Sequence, residues 1–358
     1  MNSKLIGELT EGPLDVIGDV HGEIGALQAL LEKLGYDGNG NHSENRHLVF
    51  VGDLVDRGPD SPAVLECVMR LVANGKAQCV LGNHELNLLL DEEKHGNSWY
   101  VNPSTKLDHP ARLVDPEQKA RIHEFLSGLP IALARADLRV VHACWHPESI
   151  AQLVDDRHRS SSAIEIYRRY AVQLEARWEK TALRRKMTRE AEEFGELLSD
   201  ENWKHPTLLL AHAEMDTEHQ MGNPIRVLTS GVEAPAEAPF WAGGKWRMAQ
   251  RIKWWEEYDY PTPVIVGHYW RRYSDAQNFI GDKFGPDLFE GVEPHHWMGK
   301  RSNVYCVDFS VGGRQKERVN STTPPYLCKL SALRVSEWAV MHDDGEVWQI
   351  GPPDSASA

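Results

Sequence analysis

The stretch GDLVDRG at residues 52–58 follows directly on the apolar run HLVFV and carries two aspartates and an arginine between glycines. A short run of β-branched and aromatic residues predicts a buried strand, so the charged side chains should lie where that strand ends. Two interpretations are open at this point. The segment is either an acidic turn neutralised by its own arginine or part of a metal site, and the rest of the chain decides between them.

The same pattern occurs on both sides of this stretch. LDVI at residues 14–17 runs into GDVHG, and CVL at residues 79–81 runs into GNHE, with amphipathic helical segments in between. Alternating strands and helices predict parallel strands joined by right-handed crossovers in one sheet. Because ligands of open α/β sheets bind beyond the carboxyl ends of the strands, we expect the three polar clusters to meet at one edge.

The composition is that of an acidic globular protein. Of the 358 residues, 41% are hydrophobic and 26% are charged, and the net charge of -14 argues against general attraction to nucleic acid or to an anionic membrane. No apolar run approaches the roughly 18 residues that span a bilayer, and the first residues lack the pattern of a signal peptide. The five cysteines are scattered, so we expect reduced thiols and a cytoplasmic protein.

The second half of the chain predicts a large insertion and then a return to the sheet. Residues 160–199 intersperse acidic and basic side chains, which is typical of a long solvated helix. Residues 213–262 are rich in Pro, Gly and Trp and predict irregular loops. PTPVIVGH at residues 261–268 predicts another buried strand, and SNVYCVDFS at residues 302–310 predicts the first of several closing antiparallel strands. We expect the tail at residues 352–358 to be disordered.

Two histidines extend the set of polar residues at predicted strand ends. VVHACW and PVIVGH each place a histidine directly after an apolar run. The polar residues at the predicted strand ends are therefore Asp19, His21, Asp53, Asp56, Arg57, Asn83, His84, His142 and His268. Carboxylate, imidazole and amide oxygen together suit two divalent cations, with Mn²⁺ preferred and Fe or Zn²⁺ as alternatives. The lack of clustered thiolates excludes a structural zinc module.

In their order and spelling, these motifs resemble the calcineurin-like metallophosphoesterases. GDLVDRGPDS is similar to the phosphoprotein phosphatase branch, which includes bacterial serine/threonine phosphatases and symmetrical diadenosine tetraphosphatases. The motifs are dense over residues 14–90 and sparse from there to PVIVGH. The later segments VYCVDFSVGG and LCKLSALR resemble the last motif of the tetraphosphatases, VDTG followed by LTALR. Phe309 and Ser310 stand where that motif has Thr and Gly.

The resemblance implies a fold and a domain organisation. The fold would be α/β (α+β), a four-layer α/β/β/α metallophosphoesterase sandwich with a largely helical insertion. Residues 1–358 would form a single catalytic domain. Residues 150–262 would form the helical and loop insertion, lying over the active-site edge.

The resemblance also assigns the candidate ligands to two metals. It implies Asp19, His21 and His268 at the first metal, Asn83 and His142 at the second, and Asp53 bridging the two. Two divalent cations sharing a carboxylate clamp both ends of an in-line displacement at phosphorus. A hydroxide that bridges the metals would then attack the phosphorus of the substrate.

Three further residues would act on the substrate. By resemblance, His84 protonates the leaving oxygen as a general acid, and Asp56 hydrogen-bonds His84 and favours its protonated form. Arg57 would bind two phosphate oxygens with its planar guanidinium, beside Asn83. We expect Arg247 to be a second phosphate-binding arginine.

Some alternatives stay open at this stage. Arg271 and Arg272 compete with Arg247 for the second phosphate contact. His146 competes with His142, because Cys144 stands where relatives have glycine. One group of aromatic residues could be core beneath a loop or a platform for stacking bases. Its members are Phe240, Trp241, Trp246, Trp254 and Trp255.

We therefore predict a binuclear-metal phosphatase that hydrolyses phosphomonoesters, on serine/threonine phosphoproteins or on small molecules. The first alternative is hydrolysis of a symmetrical dinucleoside tetraphosphate or an RNA-cap-type phosphoanhydride, which the LCKLSALR segment favours. A remote alternative is a non-catalytic phosphate-binding protein. It would be expected to have lost a ligand or the acid, and every such position is filled. The partners would be phosphorylated substrates, and we expect neither DNA nor a membrane.

Overall fold

A computed structural model of the chain describes residues 5–94, 96–101, 111–155, 161–274, 277, 285–320 and 324–354. Its β-strands are β1 Ile6–Glu8, β2 Leu14–Ile17, β3 His47–Phe50, β4 Ala77–Cys79, β5 Ala132–Ala134, β6 Arg139–Val141, β7 Glu233–Ala242, β8 Lys245–Arg251, β9 Val264–Val266, β10 Val304–Cys306, β11 Ser331–Arg334, β12 Ala339–His342 and β13 Val347–Gln349. Its α-helices are α1 Ile24–Leu34, α2 Ser61–Ala73, α3 Asn83–Leu89, α4 Pro116–Gly128, α5 Pro147–Val154, α6 Ala163–Trp178, α7 Ala182–Phe194, α8 Leu210–Met221, α9 Pro224–Ser230 and α10 Arg314–Val319. Residues 355–358 of the predicted tail lie outside the described residues.

Two mixed sheets form the centre of the fold. One has the strand order β1-β5-β6-β9-β10, and the other has the order β13-β12-β11-β2-β3-β4. Strands β2, β3 and β4 pair in parallel, as the alternation of strands and helices predicted. The mixed α/β class and the metallophosphoesterase-type arrangement predicted from the sequence are confirmed.

Alternate residues of β3 show how the layers pack. Val49 belongs to the core between the two sheets, together with Val140 of β6 and Ile265 of β9. Leu48 and Phe50 point the other way and pack in the core formed with the helices. Side chains of a strand alternate between its two faces, so a strand buried on both faces is apolar throughout.

Helix α1 illustrates why the helices end where they do. Leu27, Leu30 and Leu34 are spaced three or four residues apart and are buried on one face of α1. Gly35 ends the helix with φ 92°, a left-handed conformation that glycine adopts without steric cost. The chain can therefore turn sharply after α1 and return toward β3.

The predicted insertion differs from expectation at two places. Residues 160–199 do not form one long helix, because Thr181 caps the start of α7 after α6 has ended at Trp178. Residues 213–262 are not irregular: they contain most of α8, all of α9 and an antiparallel hairpin of β7 and β8. The hairpin turns at Gly243 and Gly244, with φ 58° and φ 76°, and two such residues are what a two-residue hairpin turn requires.

Strand β10 also differs from the sequence-based prediction. The segment around Val304–Cys306 was expected to close the fold as an antiparallel strand, but β10 pairs in parallel with β9. Strands β11, β12 and β13 do pair antiparallel, as expected. None of the helices in the described part of the chain combines the length and apolar character needed to cross a membrane.

A buried ionic network joins the second sheet to its flanking loops. The carboxylate of Asp15 in β2 accepts hydrogen bonds from the Arg46 guanidinium at 2.9 and 3.0 Å. It also accepts from Tyr36 Oη at 2.8 Å and from Arg334 Nε at 3.1 Å. Asp15 is fully buried, so removing this carboxylate would leave Arg46 with Glu337, at 2.8 Å from its Nη1, as its nearest carboxylate partner.

We expect Asp15→Ala to lower the free energy of unfolding by about 3–5 kcal/mol, because Arg46 loses its fully buried carboxylate partner and Tyr36 and Arg334 lose the acceptor that they share with it. Chemical denaturation of both proteins measures the difference. The control is Glu117→Gln, which breaks the exposed pair with Arg121 on α4 and should cost less than about 1 kcal/mol. A loss for Asp15→Ala no larger than that of the control would contradict the stabilising role of the network.

Candidate metal centre

The polar clusters predicted from the sequence meet at one edge of the two sheets. Asp19 and His21 follow β2, Asp53 follows β3, and Asn83 begins α3 after β4. The other sheet contributes two histidines, one directly after β6 and one two residues after β9. The side chains of His142 and His268 come close to those of Asp53 and Asn83 there.

Several of these residues have an unusual backbone conformation. His21, Asp53 and His268 have φ values of 46°, 48° and 70°, in the left-handed region that non-glycine residues rarely adopt. Asp56 and Arg57 follow with 72° and 68°. Such strain of about 1–3 kcal/mol per residue persists where the surroundings hold it, and it clusters at functional sites.

Asp53 lies between two groups of histidines. Its Oδ2 is 3.9 Å from His21 Nε2 and 3.9 Å from His84 Nε2. Its Oδ1 is 3.3 Å from His142 Nε2, on the other side of the carboxylate. The ligand atoms of His21, Asp53 and His84 form one candidate metal group, and those of Asp53, His142 and His268 form a second. One carboxylate therefore serves both groups.

Backbone carbonyls fix which nitrogen of each histidine faces the site. Nδ1 of His21 lies 3.0 Å from the carbonyl oxygen of Val55, and Nδ1 of His142 lies 2.7 Å from that of Val51. A carbonyl oxygen can only accept, so each Nδ1 carries the proton and each Nε2 presents a lone pair toward Asp53. This is the arrangement of metal-binding histidines, whose second nitrogen donates to a carbonyl or carboxylate.

The structure places His268 differently from the assignment made on the sequence. Nε2 of His268 donates to the carbonyl oxygen of Ser230 at 3.1 Å, and its Nδ1 lies 2.8 Å from Asn83 Oδ1. His142 Nε2 lies 3.2 Å from the same oxygen. The imidazole of His268 therefore belongs with Asn83 and His142, and only its backbone N–H approaches Asp19, at 3.1 Å.

Three lone pairs thus converge beside Asn83. The oxygen of Asn83 and the unprotonated nitrogens of His142 and His268 face one another without a proton between them. The three lone pairs repel one another, and each of them would instead coordinate a cation bound in this space. The donor atoms present therefore fit a divalent metal with mixed nitrogen and oxygen ligands.

The balance of buried charge points the same way. Asp19 and Asp308 are both about 1% exposed, and Arg57 is the guanidinium that faces them. Burial raises the pKa of Asp19 well above its ordinary value, and the charges of Asp308 and Asp53 raise it further. Buried carboxylates crowded in this way lack positive charge, which bound divalent cations would supply.

The histidines respond to the same surroundings. Burial lowers the pKa of His21 and of His268 well below the ordinary value, which keeps them neutral, as metal ligation requires. Burial also acts to lower the pKa of His142, but Asp53, Glu85 and the carbonyl of Val51 together outweigh it and raise the pKa overall.

His84 and Asp56 form a pair beside the first group. His84 Nδ1 lies 2.6 Å from Asp56 Oδ2, and Asp56 Oδ1 accepts a hydrogen bond from Trp99 Nε1 at 2.7 Å. The carboxylate is fully buried, so both of its oxygens are held in place. Nε2 of His84 is left pointing toward the Asp53 side of the site, at 3.9 Å from Asp53 Oδ2.

Arg57 reaches the same space from the loop after β3. Its Nη1 lies against His21 Nε2, and its guanidinium stacks on the ring of Trp270 at 4.5 Å from the centroid. A cavity beside it is lined by Arg57, Arg251, Tyr269, Trp270, Arg272 and residues 285–289. An anionic substrate would find guanidinium groups on more than one side of this cavity.

The arginine of β8 that lines this cavity is Arg251, and the phosphate contact expected of Arg247 stays a prediction. Arg247 is tied to the hairpin turn, where its Nε donates to the carbonyl oxygen of Ala242 at 3.0 Å. Arg251, four residues later on β8, lines the cavity with Arg57. Of the competitors, Arg272 lines the cavity too, whereas Arg271 is 1% exposed and donates to the carbonyl oxygens of residues 293 and 296.

Two buried acids at the site were not singled out on the sequence. Glu85 Oε2 accepts hydrogen bonds from the N–H groups of Asp53 at 2.8 Å and Gly82 at 3.1 Å, and its Oε1 accepts from Leu54 at 2.7 Å. Asp308 accepts from the N–H of Trp270 at 2.8 Å. Glu85 is the last residue of GNHE, and Asp308 follows the apolar run VYCV, so both signals were present in the sequence.

The remaining candidates have structural partners elsewhere. His146 caps α5, where its Nδ1 accepts from the N–H of Ser149 at 3.3 Å. Trp246 packs with Met248 in a separate small core on the insertion. Trp254 and Trp255 are buried in the main core. Trp254 and Trp255 are therefore core residues, whereas Trp246 is half-buried at the edge of the small core.

Comparison with known proteins places this arrangement in a family. The chain is 51% identical over 74 residues to bis(5'-nucleosyl)-tetraphosphatase PrpE (asymmetrical) of Oceanobacillus iheyensis, and 48% identical over 73 residues to that of Bacillus velezensis. Those matches cover 20% of this chain and only 30% and 29% of the relatives. The structure of the cold-active protein-tyrosine phosphatase of a psychrophile, Shewanella sp., is 17% identical, covering 97% of this chain and 84% of that one, with a TM-score of 0.42.

A family model extends over much more of the chain. The model of the calcineurin-like phosphoesterases matches residues 12–268, which is more than half of the sequence and includes every candidate metal ligand. Members of this family are metal-dependent hydrolases of phosphoric esters. The chain belongs to the calcineurin-like phosphoesterase family.

Proposed function

We propose that two divalent cations bind on either side of Asp53 and that the chain hydrolyses phosphate esters or anhydrides there. The observation that carries this proposal is the orientation of His21, His142 and His268. One ring nitrogen of each is hydrogen-bonded to a backbone carbonyl oxygen, so the other nitrogen directs its lone pair at Asp53 or Asn83. The complete set of ligands in this chain favours an active enzyme over a non-catalytic phosphate-binding protein.

The orientation of the side chains decides which ligands belong to which cation. Asp19, His21 and Asp53 would hold one cation, and Asp53, Asn83, His142 and His268 would hold the other. Mn²⁺ suits this mixture of carboxylate, amide and imidazole, with Fe or Zn²⁺ as alternatives. When bound, the cations polarise phosphoryl oxygens and neutralise the negative charge that develops during displacement.

The chain's own side chains supply the remaining steps. Arg57 and Arg251 would hold the oxygens of the reacting phosphoryl group by charge-assisted hydrogen bonds. His84 would donate the proton on its Nε2 to the leaving oxygen, since its Nδ1 proton is engaged by Asp56. Asp56, held by Trp99, would orient the imidazole of His84 toward the leaving oxygen.

Two substrate classes fit this chemistry, and the arginines favour one of them. A phosphomonoester needs one phosphoryl site, which Arg57 and the cations would provide. A dinucleoside tetraphosphate carries further phosphates, which would contact Arg251 and would compete with Asp287, 3.8 Å from Arg272 Nη2, for the guanidinium of Arg272. We therefore place phosphoanhydrides first and phosphomonoesters second. The name of the relatives from Oceanobacillus and Bacillus supports the same order.

Metal content tests the division of ligands. His142→Ala and His268→Ala should each lower the Mn²⁺ bound per chain by one ion, and the double variant should lose no more than either single one, because both would hold the same ion. Elemental analysis after dialysis measures the ratio. His212→Ala, which removes a buried histidine paired with Glu190 on the insertion, is the control and should keep both ions.

Loss of both ions from the double variant would put His268 at the other cation, with Asp19 and His21. Asp53→Asn should abolish turnover while the protein stays folded, because it weakens the ligand that both cations share. Near-normal rates for Asp53→Asn with added Mn²⁺ would rule out the shared carboxylate.

The proton donor can be tested through the leaving group. His84→Ala should lower kcat for alkyl phosphate esters by about 10²–10⁴-fold, because their leaving alkoxide needs a proton. Hydrolysis of p-nitrophenyl phosphate should fall far less, since its leaving group is stable as an anion. His146→Ala serves as the control and should leave both rates unchanged. Equal losses on the two esters would exclude His84 as the acid.

The substrate class can be decided by comparing initial rates on diadenosine tetraphosphate and on a phosphoserine peptide. We expect a higher kcat/KM on the tetraphosphate, because its additional phosphates can contact Arg251 and Arg272. A clear preference for the peptide would instead support the phosphatase. The products distinguish two modes of cleavage: the symmetrical one yields two ADP, and the asymmetrical one yields AMP and ATP.

A further inference from the structure

One face of strand β8 carries three cationic side chains. Residues of a strand alternate between its two faces, so Lys245, Arg247 and Arg251 share one face. The opposite face holds Trp246 and Met248, which pack in the small core of the insertion. The basic face of β8 is thus directed away from the core on which the hairpin rests.

This basic face begins at the metal centre. Arg251 lines the cavity with Arg57 and Trp270, and its charge contributes to the lowered pKa of His268, after burial. From Arg251 the strand leads outward past Arg247 to Lys245 at the hairpin turn. Six residues of β-strand at about 3.4 Å each span about 20 Å, which is much longer than one phosphoryl group.

The three cations have no ion-pair partner within 4.0 Å in the described part of the chain. Burial lowers the pKa of Arg247; the charges of Glu233 and Asp216 oppose this shift, and the nearby Arg251 adds to it. Burial and the charge of Arg247 likewise lower the pKa of Lys245. Like charges that lie close together repel, and a bound anion would relieve that repulsion.

Acidic groups near this face reduce its charge but do not cancel it. Glu233 lies opposite Arg251 in the hairpin register, and Asp216 of α8 is near enough to act on Arg247. Burial raises the pKa of Glu233, which disfavours its charged form. Lys94, on the loop after α3, contributes positive charge near Lys245. In a protein with a net charge of -14, a local excess of cations beside the site indicates a binding surface for anions.

We propose that the basic face of β8 is a distal anion subsite, which binds the remote phosphates of a linear polyphosphate chain while the reacting phosphoryl group lies at Arg57. Arg251 would contact the phosphates next to the reacting one, and Arg247 and Lys245 those further along. This inference rests on the proposed function of the same site. It assigns to the hairpin a part in selecting substrates by the length of their phosphate chain.

Binding to the metal-free chain tests the subsite apart from catalysis. Metal is removed with a chelator first, because polyphosphates sequester metal ions and would be hydrolysed by the active enzyme. The full-length protein is then titrated in a calorimeter with linear hexapolyphosphate and, separately, with orthophosphate. Lys245→Gln/Arg247→Gln should weaken hexapolyphosphate binding about tenfold or more, because charge-assisted contacts are lost. Orthophosphate, which is too short to reach these residues from Arg57, should bind as to the wild type.

Two further double variants serve as controls. Arg185→Gln/Lys186→Gln removes the same charge from exposed positions of α7 and should leave hexapolyphosphate binding unchanged. Lys245→Arg/Arg247→Lys changes the same two positions but keeps both charges, so it should retain hexapolyphosphate binding. Loss of binding in this variant would mean that the substitutions disturb the hairpin itself. Raising the salt concentration should weaken binding to the wild type more than to Lys245→Gln/Arg247→Gln.

Equal hexapolyphosphate affinity in the wild type and Lys245→Gln/Arg247→Gln would overturn the subsite. So would an equal loss of orthophosphate binding, or the same loss in the α7 control. If the metal-loaded wild type hydrolyses neither phosphate esters nor anhydrides, the proposed function fails instead. The metal-free titration reports on the hairpin in either case.

Discussion

The position of the Asp53 carboxylate is the constraint on which the rest of the site depends. Glu85, fully buried at the start of α3, accepts hydrogen bonds from the N–H groups of Asp53, Leu54 and Gly82. It thereby joins the loop after β3 to the turn after β4. The N–H of His84 donates to Asp53 Oδ1 at 3.0 Å. One buried acid thus fixes the carboxylate that both metal groups share.

The two sheets give this carboxylate its neighbours. Strands β2, β3 and β4 end side by side, so the first group of ligands comes from a single parallel arrangement. Histidines after β6 and β9 come from the other sheet, β1-β5-β6-β9-β10, across the core that contains Val49 and Ile265. Burial raises the pKa of Asp19 and of Asp308 at this edge, and bound cations would supply the positive charge that these carboxylates lack.

Local sequence predicted the residues that lie directly at strand ends, because a strand and the turn after it are encoded within a few positions. Asp19, Asp53 and Asn83 are of this kind. The orientation of His268 could not be predicted, because it depends on the carbonyl oxygen of Ser230, 38 residues earlier in the chain. Arg251 was missed because the hairpin was predicted as loop, and a side chain's face is undefined without the strand register. The Gly-Gly pair at its turn was the available signal.

The most direct test of the account is where metal binds relative to Asp53. Anomalous diffraction from crystals of the protein grown with Mn²⁺ would locate the ions. We expect two peaks, one on the Oδ2 side of Asp53 near Asp19 and His21, and one on the Oδ1 side near Asn83, His142 and His268. A single peak, or a pair of peaks that do not share the Asp53 carboxylate, would contradict the account.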